Sequence, residues 1–138
     1  MVNVVDLFTL IAHQDHPHGL DEGAFLDLFT EYGPVIFAFH GYPKLIHELV
    51  HHRPVPDRFH VHGYLEEGRT TTPFDMLVLN HMSRYDLVIA ALKRVGRLRS
   101  RSGEVIDRMN ERLAAHHAYI LEHDEDLPEV VNWKWSRP

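Results

Sequence analysis

The stretch PVIFAFHGYPKLIHELVHHRPVPDRFHVHGY, residues 34–64, decides the fold. Val35–Phe39 is a short, unbroken apolar run bounded by glycine and proline, which is typical of a strand at the buried centre of a sheet. A helix is predicted next, because Pro43 occupies a first-turn position and apolar residues then recur at helical spacing until the proline at position 54. Phe59 and Val61, ahead of a glycine turn, predict a second strand. A strand, a crossover helix and a strand in this order predict parallel pairing.

The N-terminal side of this stretch supplies a further strand and a helix. A strand is predicted where β-branched residues open the chain, at Val2, Val4 and Val5. Asp21 is predicted to cap a helix that the Gly33-Pro34 pair ends. The apolar face of that helix would consist of Phe25, Leu28, Phe29 and Tyr32.

The C-terminal half is predicted to be helical. Two capping boxes, each a hydroxyl followed three residues later by a carboxylate, begin at Thr72 and Ser83. The helix after Thr72 is apolar all round, which predicts a short buried element, and Gly96 would end the helix after Ser83. A last helix carries residues at helical spacing, His116 among them, and ends near Glu122. Residues 127–138 form an aromatic C-terminal tail.

These elements predict an α/β fold with three layers, a mainly parallel sheet flanked by helices. Only three strands are visible, and further strands would either hide in the loops or belong to a parent chain. At 138 residues, of which 44% are hydrophobic, residues 1–138 are predicted to be a single domain.

Composition excludes several classes of function. The chain has no cysteine and no apolar run near twenty residues, so it offers no thiolate chemistry and no membrane partner. Its formal net charge of −6 argues against a nucleic-acid partner. The local basic run of Arg94, Arg97, Arg99 and Arg101 is interpreted as a solvated connection between helices. No signal peptide is visible, so a cytoplasmic location is expected.

Several long motifs carry a resemblance to a known family. They are VNVVDL, PVIFAFHGYPKLIH, FHVHGYLEEGRTTTPFDM, SRYDLVI and PEVVNWKW, and they cover nearly the whole chain. Together they resemble the C-terminal domain of phosphoketolases. The resemblance implies a fold similar to the transketolase C-terminal domain. It also implies a homodimer of larger chains, in which this chain is the C-terminal domain and the remaining domains of the parent are its partners.

The resemblance also implies the chemistry of the parent enzyme. A phosphoketolase uses thiamine diphosphate and a divalent metal to cleave xylulose 5-phosphate, or fructose 6-phosphate, with phosphate. The products are acetyl phosphate and a shorter aldose phosphate. The cofactor and sugar-phosphate sites of the family lie in the preceding domains, and no position here matches the G-D-G motif of thiamine enzymes. The chain is therefore expected to hold no cofactor and no catalytic residue, and to act as a structural and dimerisation domain.

An independent catalytic signal is the H-E-x-x-H pattern at His47, Glu48 and His51. On a helix this spacing would present two imidazoles to a zinc ion, with the glutamate as general base. A zinc protease needs a third ligand, and the sequence HRPVP after the motif lacks the extended continuation. Glu66 and Glu67 could be nominated, but they follow a strand. We interpret the motif as coincidental and expect no metal.

Other histidines have a structural interpretation. His13, His16 and His18 share one loop and could gather a metal, although a solvated polar loop is favoured. In the pair at positions 116 and 117, only His116 falls on the apolar stripe of its helix.

A possible ligand crevice lies beyond the predicted strand ends, because open parallel sheets bind ligands there. Hydroxyls, one guanidinium and a helix N-terminus could seat an anion. The alternative is that the threonines only cap the helix. With this crevice, the alternative function is a freestanding α/β module that binds a small anionic ligand or nucleotide as a sensor or regulator. The crevice residues are His40, Gly41, Tyr42, Tyr64, Arg69, Thr70, Thr71 and Thr72.

Overall fold

A computed structural model describes residues 1–65, 68, 70–96 and 99–134 of the chain, with the backbone alone at 99–101. The chain forms two compact units, Met1–Gly63 and Tyr64–Pro138. That the whole chain acts as a single domain stays a prediction.

The first unit contains the sheet that the sequence predicts. Strand β1, Val35–Phe39, pairs in parallel with strand β2, Phe59–Gly63, in a register that sets Val35 opposite Phe59. Helix α2, Pro43–Leu49, connects them and carries its proline in the first turn. The strand, helix and strand predicted from residues 34–64 are therefore confirmed.

The core of the first unit lies on one face of this sheet. Asp21 caps helix α1, Glu22–Phe29, as predicted. Its Oδ1 accepts a hydrogen bond of 2.9 Å from the Ala24 backbone N–H. Alternate strand residues point towards α1 and α2, and each fully buried large side chain contributes about 1.5–3 kcal/mol. The buried cluster consists of Leu10, Phe25, Phe29, Phe37, Ile46, Val50 and Phe59.

The predicted strand at Val2, Val4 and Val5 is wrong. Residues 1–5 have no regular structure, and a 3-10 helix, Leu7–Leu10, follows them with Asp6 as its cap. Among the described residues the sheet has two strands only, so this segment has no hydrogen-bonded ladder partner. β-branched residues favour a pleated surface, but a strand also needs a neighbour to pair with.

The end of α1 also differs from the prediction. The helix stops at Phe29 rather than at Gly33-Pro34, because Thr30 leaves the helical region with a φ of 60°. Leu28 is then about half exposed and Tyr32 lies beyond the helix, well exposed. The predicted four-residue apolar face therefore shrinks to Phe25 and Phe29.

The second unit is helical, as predicted. Its helices are α3, Pro73–Leu79; α4, Arg84–Arg94; α5, Arg99–His123; and α6, Pro128–Val131. Both α3 and α4 pack against α5. In both predicted capping boxes the hydroxyl accepts from a backbone N–H, Thr72 from Asp75 and Ser83 from Asp86.

Helix α3 is less buried than its composition predicts. Its apolar residues are partly exposed, Leu79 reaches 43% exposure, and the buried member is Asp75. The prediction of a buried apolar helix is wrong because the helix covers a polar cluster. In α4, Tyr85 is buried, while Val88 is 38% exposed.

The chain is therefore an α/β protein with a parallel sheet flanked by helices, which confirms the predicted class and is consistent with a three-layer arrangement. The likeness to the transketolase C-terminal domain stays a prediction. Among the described helices, none combines the length and apolarity that a bilayer crossing needs. Of the basic run, Arg94 donates to the Ala90 carbonyl of its own helix, whereas Arg97 lies outside the described residues.

Candidate functional site

The carboxyl ends of the two strands meet as the crevice hypothesis requires. Phe39 lies opposite Gly63, and His40, Gly41 and Tyr42 follow directly. A Cβ on Gly63 would stand 2.6 Å from the Gly41 carbonyl oxygen and 2.5 Å from Pro43 Cγ. The close approach of two backbone segments therefore requires glycine at this strand end.

The remaining crevice residues belong to the second unit, where the threonines already have partners. Thr72 caps α3 and donates to the Asp126 carboxylate, while Thr71 Oγ1 donates to Asp75 Oδ2 at 2.8 Å. Two carboxylates at these hydroxyls disfavour an incoming anion. Tyr64 and Thr70 precede this cap, and Arg69 lies outside the described residues. Anion binding at the crevice stays a prediction.

The H-E-x-x-H residues do not share one helical face. Helix α2 ends at Leu49, so His47 and Glu48 are helical and His51 lies in the turn that follows. The Oε1 atom of Glu48 lies 3.6 Å from Nζ of Lys44, one helical turn earlier. Within the described residues no group of three histidine or carboxylate side chains is placed to hold a metal. The expected absence of zinc stays a prediction, and the nominated Glu66 and Glu67 lie outside the described residues.

The histidine loop is ordered by polar and ring contacts. His18 Nδ1 lies 2.9 Å from Asp6 Oδ2, and the His16 ring stacks on Phe8 with centroids 4.4 Å apart. The Phe8 backbone N–H, and after it His18, lower the pKa of the Asp6 carboxyl below its ordinary value of 3.8. The carboxylate caps the first turn, so the loop has a structural explanation.

A buried arginine fastens this loop to the core. The Arg53 guanidinium donates to the carbonyls of Leu10 at 2.8 Å and Leu20 at 2.9 Å, with further bonds to Thr9 and Ile11. It also lies 4.0 Å from the centroid of the Phe25 ring. Burial lowers the pKa of Arg53 from its usual range. The side chain therefore satisfies backbone carbonyls on both sides of the histidine loop.

The polar cluster of the second unit is largely buried. His116 is fully buried, with Nε2 3.3 Å from Asp75 Oδ1 and 3.8 Å from Asp126 Oδ1. Phe74 packs edge-on against the imidazole, at 5.1 Å between centroids. The cluster therefore joins α3, α5 and the segment before α6.

A cavity of about 600 Å³ lies beside β1 in the first unit, and its lining combines apolar side chains with exposed polar atoms. Val2, Val4 and Val5 contribute to its lining, as do Ile36 and Ala38 of the strand itself. Among the described residues, β1 is paired on one side only, so its other edge carries free ladder positions. Unpaired apolar strand edges usually require a covering segment.

Sequence reasoning missed a pocket of about 480 Å³ in the second unit. The sequence analysis singled out the basic run between α4 and α5. The pocket instead uses arginines of the two helices that lie away from this connection. The spacing of Arg108 and Arg112, four residues apart on one helix, was the available signal. The lining residues are Arg84, Tyr85, Arg108, Met109, Arg112, Glu129 and Trp133.

Comparison with known proteins identifies the family. The family model described as the XFP C-terminal domain matches residues 1–135. The chain is 52% identical over 136 residues to a probable phosphoketolase of Pseudomonas putida, with 99% of the chain aligned. The chain belongs to the phosphoketolase C-terminal domain family.

Two further relatives agree with this assignment. The chain is 50% identical to a probable phosphoketolase of Bradyrhizobium diazoefficiens, with 98% of the chain aligned. It is 49% identical to one of Brucella abortus over 100% of the chain. The chain spans only 17% of the Pseudomonas putida and Bradyrhizobium relatives and 18% of the Brucella one. The family resemblance predicted from the sequence is therefore confirmed.

Proposed function

We propose that the chain is a non-catalytic structural and dimerisation domain of a phosphoketolase. The parent enzyme would use thiamine diphosphate and a divalent metal, held outside this chain, to form acetyl phosphate from xylulose 5-phosphate or fructose 6-phosphate. The parent enzyme would work as a cytoplasmic homodimer. The fold of this domain would be similar to that of the transketolase C-terminal domain. The observation that carries the proposal is a whole-chain family match that spans only 17% of a relative's length.

The side chains of the domain support a structural role. A thiamine enzyme has to clamp a diphosphate through a metal and activate the aminopyrimidine with a buried carboxylate. In the described part of the chain, the buried carboxylate Asp75 is instead paired with His116 and with a threonine that precedes α3. The buried arginines bond to backbone carbonyls, as Arg58 does to Phe29 and Gly33. Each of these side chains contacts other parts of the fold, although Arg58 Nε and Nη2 and both ring nitrogens of His116 have no hydrogen-bond partner among the residues that the structure describes.

The uncovered edge of β1 supports a docking role. A two-stranded sheet is at best marginally stable without further strands or packed helices. The cavity beside this edge, which Ile36 and Val2 both line, would be covered by another part of the parent chain. That parent segment is the occupant we propose, because most of a phosphoketolase lies outside these 138 residues.

Truncation of the parent enzyme tests the proposal. A parent that lacks residues 1–138 should lose its dimer in light scattering and its acetyl phosphate formation, and the chain supplied in trans should restore both. Ile36→Asp should weaken this restoration, while Leu121→Asp, at a residue that is 74% exposed in the second unit, should not. A truncated enzyme that stays dimeric and fully active would rule out the proposed role.

A further inference from the structure

The pocket between α4, α5 and α6 has an unusual charge for this protein. Three guanidinium groups and one carboxylate line it, although the chain as a whole has a formal net charge of −6. Two of the arginines, Arg84 and Arg108, have no carboxylate partner among the described residues. The pocket therefore carries two positive charges that the described side chains leave uncompensated.

Contacts within the chain hold two of the three guanidiniums, those of Arg112 and Arg84, before any ligand arrives. Arg112 Nη1 lies 2.6 Å from Glu129 Oε2, and the other oxygen of Glu129 accepts a 3.3 Å hydrogen bond from the Tyr85 hydroxyl. Glu129 is thereby held by two partners and orients Arg112. Guanidiniums placed in advance lose little side-chain entropy when they bind a ligand.

Arg84 is held by aromatic rings instead of by a carboxylate. Its Cζ lies 5.3 Å from the Phe74 ring centroid, 5.2 Å from that of Tyr85 and 5.6 Å from that of Trp133. Ring faces attract the cation without neutralising it, so its full charge remains available to an anion. The half-buried position also reduces the screening of that charge by water.

The geometry points to a binding site for a phosphate dianion, either free or as the terminal group of a phosphomonoester. The planar fork of arginine donates paired hydrogen bonds to phosphate and carboxylate oxygens alike. Two uncompensated cations favour the dianion, because a monoanionic carboxylate would leave one of them unpaired. A volume of about 480 Å³ accommodates the group and part of its ester. This site does not depend on the proposed role of the chain in a parent enzyme.

Titration of the full 138-residue chain tests the site. Inorganic phosphate, glycerol 2-phosphate and acetate are added at constant ionic strength and pH 7.5, with calorimetry and arginine Nε–H NMR signals as readouts. We expect one saturable phosphate site per chain. Tighter binding of inorganic phosphate would identify free phosphate as the ligand, and tighter binding of glycerol 2-phosphate would identify a phosphomonoester. Acetate should bind at least about tenfold more weakly. No saturable phosphate binding, or acetate binding as tight as phosphate binding, would overturn the inference.

Variants assign the binding to this pocket. Arg108→Gln removes an exposed side chain and should weaken phosphate binding at least about tenfold, the usual effect of losing a charged hydrogen bond. Arg84→Lys keeps the positive charge near the aromatic rings but loses the planar guanidinium. It should weaken phosphate binding less than Arg84→Gln does. Lys93→Gln removes an equal charge from α4 outside the pocket and serves as the control. Equal weakening by Lys93→Gln and Arg108→Gln would show non-specific attraction instead.

Discussion

The buried imidazole of His116 lies 3.3 Å from the carboxylate of Asp75, and this pair joins α5 to the first turn of α3. Asp126 approaches the same ring nitrogen from the segment before α6. Buried polar groups are costly to leave without a partner, so the three segments depend on one another.

Replacement of His116 by leucine should destabilise the chain by about 2–4 kcal/mol, because the buried carboxylate of Asp75 and the partly buried one of Asp126 lose the imidazole that lies beside both. His117→Leu is the matched control, since its neighbouring side chain is exposed, and should change stability by less than about 0.5 kcal/mol. Urea denaturation measures both. Equal stability of the two variants would contradict the cluster's structural role.

Arg53→Lys should cost about 2–4 kcal/mol in the same measurement. A lysine cannot reproduce the guanidinium fork, so several of the carbonyls that Arg53 bonds would lose their donor in a buried site. Arg94→Lys, on the exposed side of α4, provides the control. Wild-type stability in Arg53→Lys would show that these hydrogen bonds contribute little.

The fold was only partly predictable from the sequence. The apolar run of β1 and the Pro43 helix start identified the strand, helix and strand, because both signals are local. The absence of a strand at Val4 was not predictable, since a strand depends on a ladder partner that local sequence does not specify. Similarly, His116 was placed on an apolar stripe, but its carboxylate partners lie 41 residues before it and 10 after it.

The arginine pocket of the second unit was not predictable from the sequence for the same reason. Arg84 and Arg108 are 24 positions apart, and only the packing of α4 against α5 brings them to one cavity. Helix caps such as Asp21 were predictable because donor and acceptor lie within one turn. Long-range juxtapositions were not.

Gly63→Ala should destabilise the first unit by about 1–3 kcal/mol, the usual cost of overpacking. The added methyl group would meet the Gly41 carbonyl oxygen, a backbone atom that cannot rotate away. Gly96→Ala has no heavy atom within 4 Å of the added carbon and serves as the control. Thermal unfolding followed by circular dichroism compares them, and equal midpoints would contradict the close approach of the strand ends.

The Asp6 carboxyl should titrate below its ordinary pKa of 3.8. A depressed folded-state pKa means that the carboxylate stabilises the fold above the unfolded value and loses this effect as the pH falls through the folded value. NMR titration of the side-chain carbon should show this, and His18→Ala should raise the pKa towards the ordinary value. A pKa at or above 3.8 in the wild-type chain would contradict the capping contact with the Phe8 N–H.

The central claim is that this chain supports a phosphoketolase without holding its catalytic site. Calorimetry of the purified chain with thiamine diphosphate and Mg²⁺, paired with an acetyl phosphate assay on xylulose 5-phosphate and phosphate, tests it most directly. The account predicts no cofactor binding and no turnover by the chain alone, with both present in the parent enzyme. Micromolar cofactor binding or any turnover by the isolated chain would contradict it.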